Sequence, residues 1–185
     1  MSEIKEKLLA LNLDRSVEKL SLTDKIEQIA NDEGYVTVDR DDTKPWGAYL
    51  HFDSVDADKF IQSFFPGLTM EEAQLGIENA ELSPKFLIVS PEQRLSWQYH
   101  DRRAERWAFL TNGAYHKSDN DDQGDVVQVR AGEVVQFGKG ERHRLVGIQG
   151  RYTLVAEIWQ HSDPDNLSNE EDIVRVADDY NRTTN

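Results

Sequence analysis

Apolar residues at helical intervals dominate the beginning of the chain. Between residues 2 and 31, leucine, isoleucine and valine recur every three or four positions, which predicts a helical region ending at Gly34. After Gly34 the pattern changes to short β-branched and aromatic runs. Residues 35–38 and 44–52 are the first two of these runs, and we expect a strand in each.

Two short helices are predicted to interrupt the strands. Residues 56–64 are amphipathic, and Thr69 with Glu72 three positions later has the signature of a capping box. Both patterns lie before the main series of strands, so they are interpreted as an insertion. The expected organisation is an N-terminal helical extension at 1–33 and a β domain at 34–185 that contains the insertion at 53–83.

The rest of the chain consists mainly of short strand patterns separated by turns. These runs cover residues 86–90, 94–99, 106–110, 126–129, 134–137, 144–148 and 152–159. Many short strands without intervening helices are typical of an antiparallel sandwich or barrel. A second capping signature, Ser168 with Glu171, precedes apolar residues at helical spacing and predicts a C-terminal helix at 168–182, with frayed residues at 183–185. The expected fold class is an all-β core with flanking N-terminal and C-terminal α-helices.

Charge and cysteine content exclude several function classes. The chain of 185 residues has a formal charge of −14, which opposes both nucleic acid and anionic membrane surfaces, so neither partner is expected. It contains no cysteine, which excludes disulfides, thiolate ligands and a cysteine nucleophile. No signal-peptide pattern and no run of 18 apolar residues occurs, so a cytoplasmic location is expected.

Four side chains are candidate metal ligands. Gln98 and His100 lie two positions apart, so on a strand their side chains point to the same face. Glu105 follows a short turn, and His143 lies on a later hairpin. The four donors meet only if the sheet closes, and without further context a Gln-x-His pair also fits ordinary hydrogen bonding. The other histidines, His51, His116 and His161, share no such spacing and are expected to be solvated or packing residues.

The stretch from Glu92 to Gly147 resembles the two motifs of the cupin superfamily. The second motif runs from Gly132 through Gly140 to His143, with Gly138 in place of the usual proline and Gly147 in place of the usual asparagine. In the first motif Glu92 replaces a glycine. The resemblance implies a double-stranded β-helix, or jelly-roll barrel, in which Gln98, His100, Glu105 and His143 bind a metal.

Three separated blocks are similar to the cupin domain of type II mannose-6-phosphate isomerases. They are Lys44-Pro-Trp-Gly-Ala-Tyr49, the stretch from Arg94 to Trp107 with its Gln-x-His and Ala-Glu-x-Trp elements, and the segment from Glu171 to Arg182. One departure is Arg106, which replaces a common histidine. The large members of this family also carry a nucleotidyltransferase domain with a glycine-rich loop. Nothing like it occurs in this sequence, so guanylyltransferase activity is not expected.

The resemblance implies a metal-dependent aldose–ketose isomerase acting on a sugar or sugar phosphate. Zinc is the first expectation for the divalent ion, with manganese, cobalt, nickel or iron as alternatives. Glu157 is a candidate acid or base, or a partner that orients a ligand, while Arg103 and Arg182 are candidates for contact with a phosphate. Two other functions stay open, a cupin dioxygenase and a non-catalytic carbohydrate-binding or regulatory cupin. A homodimer is compatible with the exposed sheet edges expected for such a barrel.

Overall fold

A computed structural model of the chain describes residues 2–182, so the predicted frayed end at 183–185 lies outside the described residues. The helices are α1 (Glu3–Leu9), α2 (Lys19–Asp32), α3 (Ala57–Phe64) and α4 (Met70–Ala73), with a 3-10 turn at Ser54–Asp56. The strands are β1 (Thr37–Asp41), β2 (Gly47–Phe52), β3 (Leu82–Val89), β4 (Trp97–Tyr99), β5 (Arg103–Phe109), β6 (Gly113–Ser118), β7 (Val127–Val129), β8 (Val134–Phe137), β9 (Arg142–Val146), β10 (Thr153–His161) and β11 (Val174–Ala177).

The strands form two antiparallel sheets. One has the order β1-β2-β3-β10-β5-β8, and the other has the order β11-β4-β9-β6-β7. The eight strands from β3 to β10 are shared between the sheets as β3-β10-β5-β8 and β4-β9-β6-β7, which is the double Greek key of a jelly roll. The prediction of an all-β core with jelly-roll topology is therefore confirmed.

The helices cover the outer face of the six-stranded sheet. Ile26 of α2 and Phe60 of α3 belong to one apolar cluster with Phe52 and Phe86, which point outward from β2 and β3. The N-terminal and inserted helices are present as predicted, and α4 begins at the expected capping box. No helix in the described part of the chain is long and apolar enough to cross a membrane.

Alternation along the central strands places polar groups inside the barrel. On β10, Leu154, Ala156 and Ile158 belong to the outer cluster, whereas Val155 belongs to a second cluster between the sheets. Because side chains alternate, Glu157 and Trp159 share the inward face with Val155. Every residue of β10 is buried, since helices cover one face of the strand and the barrel interior covers the other.

The predicted C-terminal helix at 168–182 is wrong. Residues 174–177 form strand β11, which pairs with the otherwise free edge of β4. The Ser168 hydroxyl donates to Asp172 Oδ2 at 2.6 Å rather than capping a helix. The β-branched residues of this segment suit a strand, and pairing with β4 outweighs the helical spacing of its apolar positions.

The sequence pattern also missed β6, a polar strand held between β7 and β9.

Candidate metal centre and cavity

A cavity of about 270 Å³ opens into the barrel between the sheets. Its lining includes five of the residues singled out from the sequence, namely Gln98, Arg103, Glu105, Glu157 and Arg182. Aromatic walls come from Trp46, Tyr49 and Trp159. A cavity that combines aromatic walls with convergent charged groups is a candidate small-molecule site.

His100, Glu105 and His143 converge in the barrel. Their ligand atoms lie within 4.8 Å of one another, and all three side chains are buried. His100 Nε2 lies 3.1 Å from Glu105 Oε1, and His143 Nε2 lies 3.2 Å from Glu105 Oε2. Glu105 comes from β5 in one sheet, whereas His100 follows β4 and His143 lies on β9 in the other. The predicted convergence of these three residues is therefore present.

Backbone carbonyls set the tautomer of both imidazoles. His100 Nδ1 lies 2.5 Å from the Asp172 carbonyl oxygen, and His143 Nδ1 lies 2.9 Å from that of Glu141. A carbonyl oxygen only accepts hydrogen bonds, so each Nδ1 carries a proton and each Nε2 is the ring nitrogen that faces Glu105. Burial, followed by the charge of Arg103, lowers the pKa of His100 to about 4 and keeps that ring neutral.

The donor set fits a divalent cation. Among the described residues, His143 Nε2 is a buried atom without a hydrogen-bond partner. When the ring carries its single proton on Nδ1, the lone pair of Nε2 faces Glu105 Oε2 at 3.2 Å, and this contact is repulsive unless a positive charge lies between the two atoms. Two imidazoles and a carboxylate are suitable ligands for zinc and for other first-row metals.

Gln98 lies beside the three ligands. It is directly opposite His143 in the β4–β9 ladder, and its Nε2 is 3.4 Å from His100 Nε2. The Ser96 hydroxyl lies 2.5 Å from Gln98 Oε1. Coordination through Oε1 requires the amide to turn by half a rotation, which Ser96 tolerates because a hydroxyl both donates and accepts. Its role as a fourth ligand stays a prediction.

Arg103 connects the candidate ligands to the loop between β10 and β11 (residues 162–173). Its Nε donates to Glu105 Oε1 at 2.8 Å, and Nη2 lies 3.1 Å from His100 Nε2. Nη1 donates to Ser168 Oγ at 2.7 Å. The guanidinium also lies 3.6 Å from the centre of the Trp159 ring. These contacts orient Glu105 and His100, and contact with a phosphate stays a prediction for Arg103.

The ionisation of Glu105 follows from these neighbours. Burial alone would raise its pKa, but His100 in its protonated form and the guanidinium of Arg103 outweigh burial and hold the pKa well below its usual range. Glu105 is therefore a carboxylate, the form that binds a cation.

Glu157 is a second buried carboxyl group in the same cavity. Its Oε1 accepts a hydrogen bond from Trp107 Nε1 at 2.8 Å. Burial, followed by the negative charge of Glu105, raises its pKa well above the usual range, although Lys85 opposes this shift. Two carboxyl groups with opposite pKa shifts in one site are a common arrangement in acid–base catalysis.

Arg182 is placed at the side of the cavity rather than at the three ligands. Its guanidinium forms an ion pair with Asp178 four residues earlier in the sequence, and its side chain is 23% exposed. This position leaves it accessible to a ligand in the cavity. Contact between Arg182 and a phosphate stays a prediction.

Two residues of the site escaped the sequence analysis. Lys85 projects into the cavity from β3. A lysine beside the apolar residues of a buried strand is a sequence feature that could have indicated a functional role. Asp172 anchors His100 through its carbonyl, and its carboxylate accepts from the backbone N–H groups of Asp101 and Arg102.

His161, expected to be solvated or packed, is buried and accepts from the Ser168 N–H at 3.0 Å.

Comparisons with known proteins give structural relatives only. No protein-family model and no curated protein matches the sequence. Among solved structures, a cupin 2 conserved barrel domain protein from Salinispora arenicola is 20% identical, with a TM-score of 0.39 over 45% of this chain and 66% of the other.

Two further structures carry named activities. A candidate sugar phosphate isomerase from Acidithiobacillus ferrooxidans is 15% identical, with a TM-score of 0.38 over 44% of this chain and 51% of that protein. A variant of oxalate decarboxylase from Bacillus subtilis is 14% identical, with a TM-score of 0.48 over 71% of this chain and 28% of the other. The chain spans less than two thirds of the length of each of the three.

The strand order decides the fold independently of these scores. The chain has a jelly-roll fold, the fold that cupin proteins share with several other groups of proteins. The fold alone is compatible with an enzyme or with a binding protein, so the function depends on the residues that line the cavity.

Proposed function

We propose that this protein is a metal-dependent aldose–ketose isomerase acting on a sugar or sugar phosphate. The observation that carries the proposal is the buried Glu157 carboxyl, which lines the same cavity as Glu105 of the candidate metal centre. An isomerisation of this type moves one proton between neighbouring carbons and needs no external oxidant or reductant. This chemistry requires a group that moves the proton and a positive charge that stabilises negative charge on the sugar oxygens, and a base beside a cation site provides both.

Glu157 is the group that takes and returns the proton. Its raised pKa makes the carboxylate a stronger base than an exposed glutamate, and the bond from Trp107 fixes its orientation. It would accept the proton from the carbon beside the carbonyl and return it to the adjacent carbon, so the sugar is neither oxidised nor reduced overall. The buried position of Glu157 keeps bulk water away from the proton in transit.

His100, Glu105 and His143, with Gln98 as the fourth predicted ligand, would hold the ion. When bound, the ion supplies Lewis acidity for negative charge that develops on the sugar oxygens. Arg103 orients Glu105, and Arg182, which lines the same cavity, would contact the phosphate of a phosphorylated substrate. Zinc is the proposed ion, because two imidazoles and a carboxylate are among its preferred ligands.

Proton exchange in heavy water tests this function. The protein is incubated with mannose 6-phosphate, fructose 6-phosphate or the free sugars, and deuterium at the reacting carbons is followed by NMR. We expect exchange that stops after chelation and in Glu157→Gln, and that continues in Glu133→Gln, a change at an exposed glutamate.

The alternatives predict different outcomes. Sugar binding without exchange for every aldose and ketose tried would support the non-catalytic carbohydrate-binding function and reject the isomerase. Oxygen consumption by the iron-loaded protein would instead support the dioxygenase.

A further inference from the structure

A buried lysine in the cavity is paired with a carboxylate from the β10–β11 loop. Lys85 Nζ donates a hydrogen bond to Glu170 Oε1. The Lys85 side chain is 2% exposed, whereas that of Glu170 is 50% exposed. The pair therefore joins an interior cation to an anion that is half in solvent.

The surroundings of Lys85 provide few other partners. Its ammonium lies 3.3 Å from the centre of the Trp159 ring and 4.9 Å from that of Tyr49. Within residues 2–182, Glu170 is the hydrogen-bond acceptor found for this ammonium, which has three donors. Aromatic faces attract a cation but do not use its N–H groups as a carboxylate or phosphate does.

Loss of Glu170 has unequal consequences for the two partners. Glu170 would regain water, because its side chain is already half exposed. Lys85 would stay in the interior without its hydrogen-bonded counter-charge, which is costly for a buried cation even though Glu157 lies opposite it in the β3–β10 ladder. Another anion that enters the cavity can therefore replace Glu170, and its own charge would compensate Lys85.

The charge distribution of the cavity favours such an anion. Five cationic residues line it, namely Lys44, Lys85, Arg103, Arg175 and Arg182, alongside four glutamates. Five cations against four glutamates leave the lining with a formal charge of about +1, whereas the whole chain carries −14. A negatively charged ligand is therefore repelled less in this cavity than by the rest of the protein.

We infer that Lys85 recognises the phosphate group of a phosphorylated sugar, and that Glu170 occupies this phosphate position until the ligand arrives. The sugar part of the inference rests on the proposed function. The phosphate part does not, because it requires only that inorganic phosphate competes with the Glu170 carboxylate for one ammonium. A phosphate offers more negative charge and more acceptor oxygens than a carboxylate, so it can satisfy donors that Glu170 leaves unused.

Phosphate binding by three variants tests the inference. Inorganic phosphate is titrated into the full chain by isothermal calorimetry at constant ionic strength, with sulfate-free buffer and chloride as the balancing anion. Lys85→Met should weaken phosphate binding by about ten-fold or more, because it removes the buried positive charge. Glu170→Gln should strengthen binding by about three-fold or more, because the competing carboxylate is gone.

Glu171→Gln is the matched control. Glu171 is the next residue on the same loop and lines the same cavity. Its substitution by glutamine changes the net charge of the protein by the same amount as Glu170→Gln. An increase in affinity equal to that of Glu170→Gln would show a general charge effect and overturn the inference. If Lys85→Met does not fold, Lys85→Arg keeps the charge, and the contrast between the two glutamate variants still decides.

The two proposals fail in different ways. Absence of proton exchange with normal phosphate binding and the expected variant pattern would reject the isomerase but keep Lys85 as a phosphate contact. Exchange with free sugars together with unchanged phosphate affinity in Lys85→Met would keep the isomerase and reject this inference.

Discussion

His100 donates a hydrogen bond from Nδ1 to the backbone carbonyl of Asp172, 72 residues further along the chain. This bond determines which ring nitrogen faces Glu105. It also makes the β10–β11 loop part of the candidate metal centre, because the position of that loop controls the orientation of an imidazole.

Metal content should depend on His143. We expect about one divalent ion per chain in the purified protein and an ion affinity at least about ten-fold lower in His143→Ala, because Nε2 is a ligand atom in a preformed set. Elemental analysis after equilibration with zinc, manganese, cobalt, nickel or iron measures this. His116→Ala, outside the three-residue cluster, is the control. Equal metal content in both variants would remove His143 from the ligand set.

The carboxylate of Asp172 should support the metal centre indirectly. It accepts bonds from Asp101 N, Arg102 N and Ser168 Oγ, so Asp172→Ala leaves these donors without their acceptor. We expect a loss of about 2–4 kcal/mol in the free energy of unfolding and metal affinity reduced about 10- to 100-fold. Chemical denaturation and metal titration measure the two effects. Asp163→Ala serves as the exposed control, and unchanged metal affinity in Asp172→Ala would contradict the proposed link.

Acid should weaken the attachment of the same loop through His161. Burial, and then the charge of Arg103, lowers the pKa of His161 to about 4 from an ordinary value of 6.5. The folded state therefore binds fewer protons than the unfolded state between these values. The contribution of the neutral ring to stability is complete above about pH 6.5 and declines as the pH falls towards 4, by at most about 3 kcal/mol.

Denaturation curves between pH 4 and pH 7.5 measure this dependence. In His161→Gln the amide does not titrate, so the difference in unfolding free energy between wild type and variant should shrink as the pH falls. Parallel curves for the two proteins would show that the protonation of His161 is not linked to folding.

The N-terminal helices should be integral to the fold. Ile26 of α2 is 1% exposed and belongs to the cluster on the outer face of the six-stranded sheet, whereas Leu20 of the same helix is 47% exposed. Ile26→Ala should cost about 2–5 kcal/mol of unfolding free energy, and Leu20→Ala should cost less than about 1 kcal/mol. Similar small losses in both variants would indicate that the helices pack only loosely on the barrel.

Local patterns predicted much of the candidate site. Gln98 and His100 lie two residues apart, so strand geometry alone placed them on one face. Glu105 and His143 were added by their positions in the cupin motifs, and the structure brings Glu105 and His143 together with His100. The apolar periodicity of residues 2–31 was sufficient for the N-terminal helices because their buried face follows a helical repeat.

The remaining features depend on contacts between distant parts of the chain. Residues 173–180 fit a helical repeat as well as a strand, and the free edge of β4 selected the strand. The importance of Asp172 arises from a backbone carbonyl, which no side-chain pattern reveals. Lys85 could be recognised as unusual within an apolar run, but its partner Glu170 lies 85 residues away.

The candidate ligands come from both sheets, with Glu105 on one and His143 on the other. A bound ion would therefore cross-link the two layers of the sandwich, and an ion that binds the folded state alone raises its melting temperature in proportion to the logarithm of ion concentration. Thermal-shift assays across a panel of cations could rank their affinities without any knowledge of the substrate.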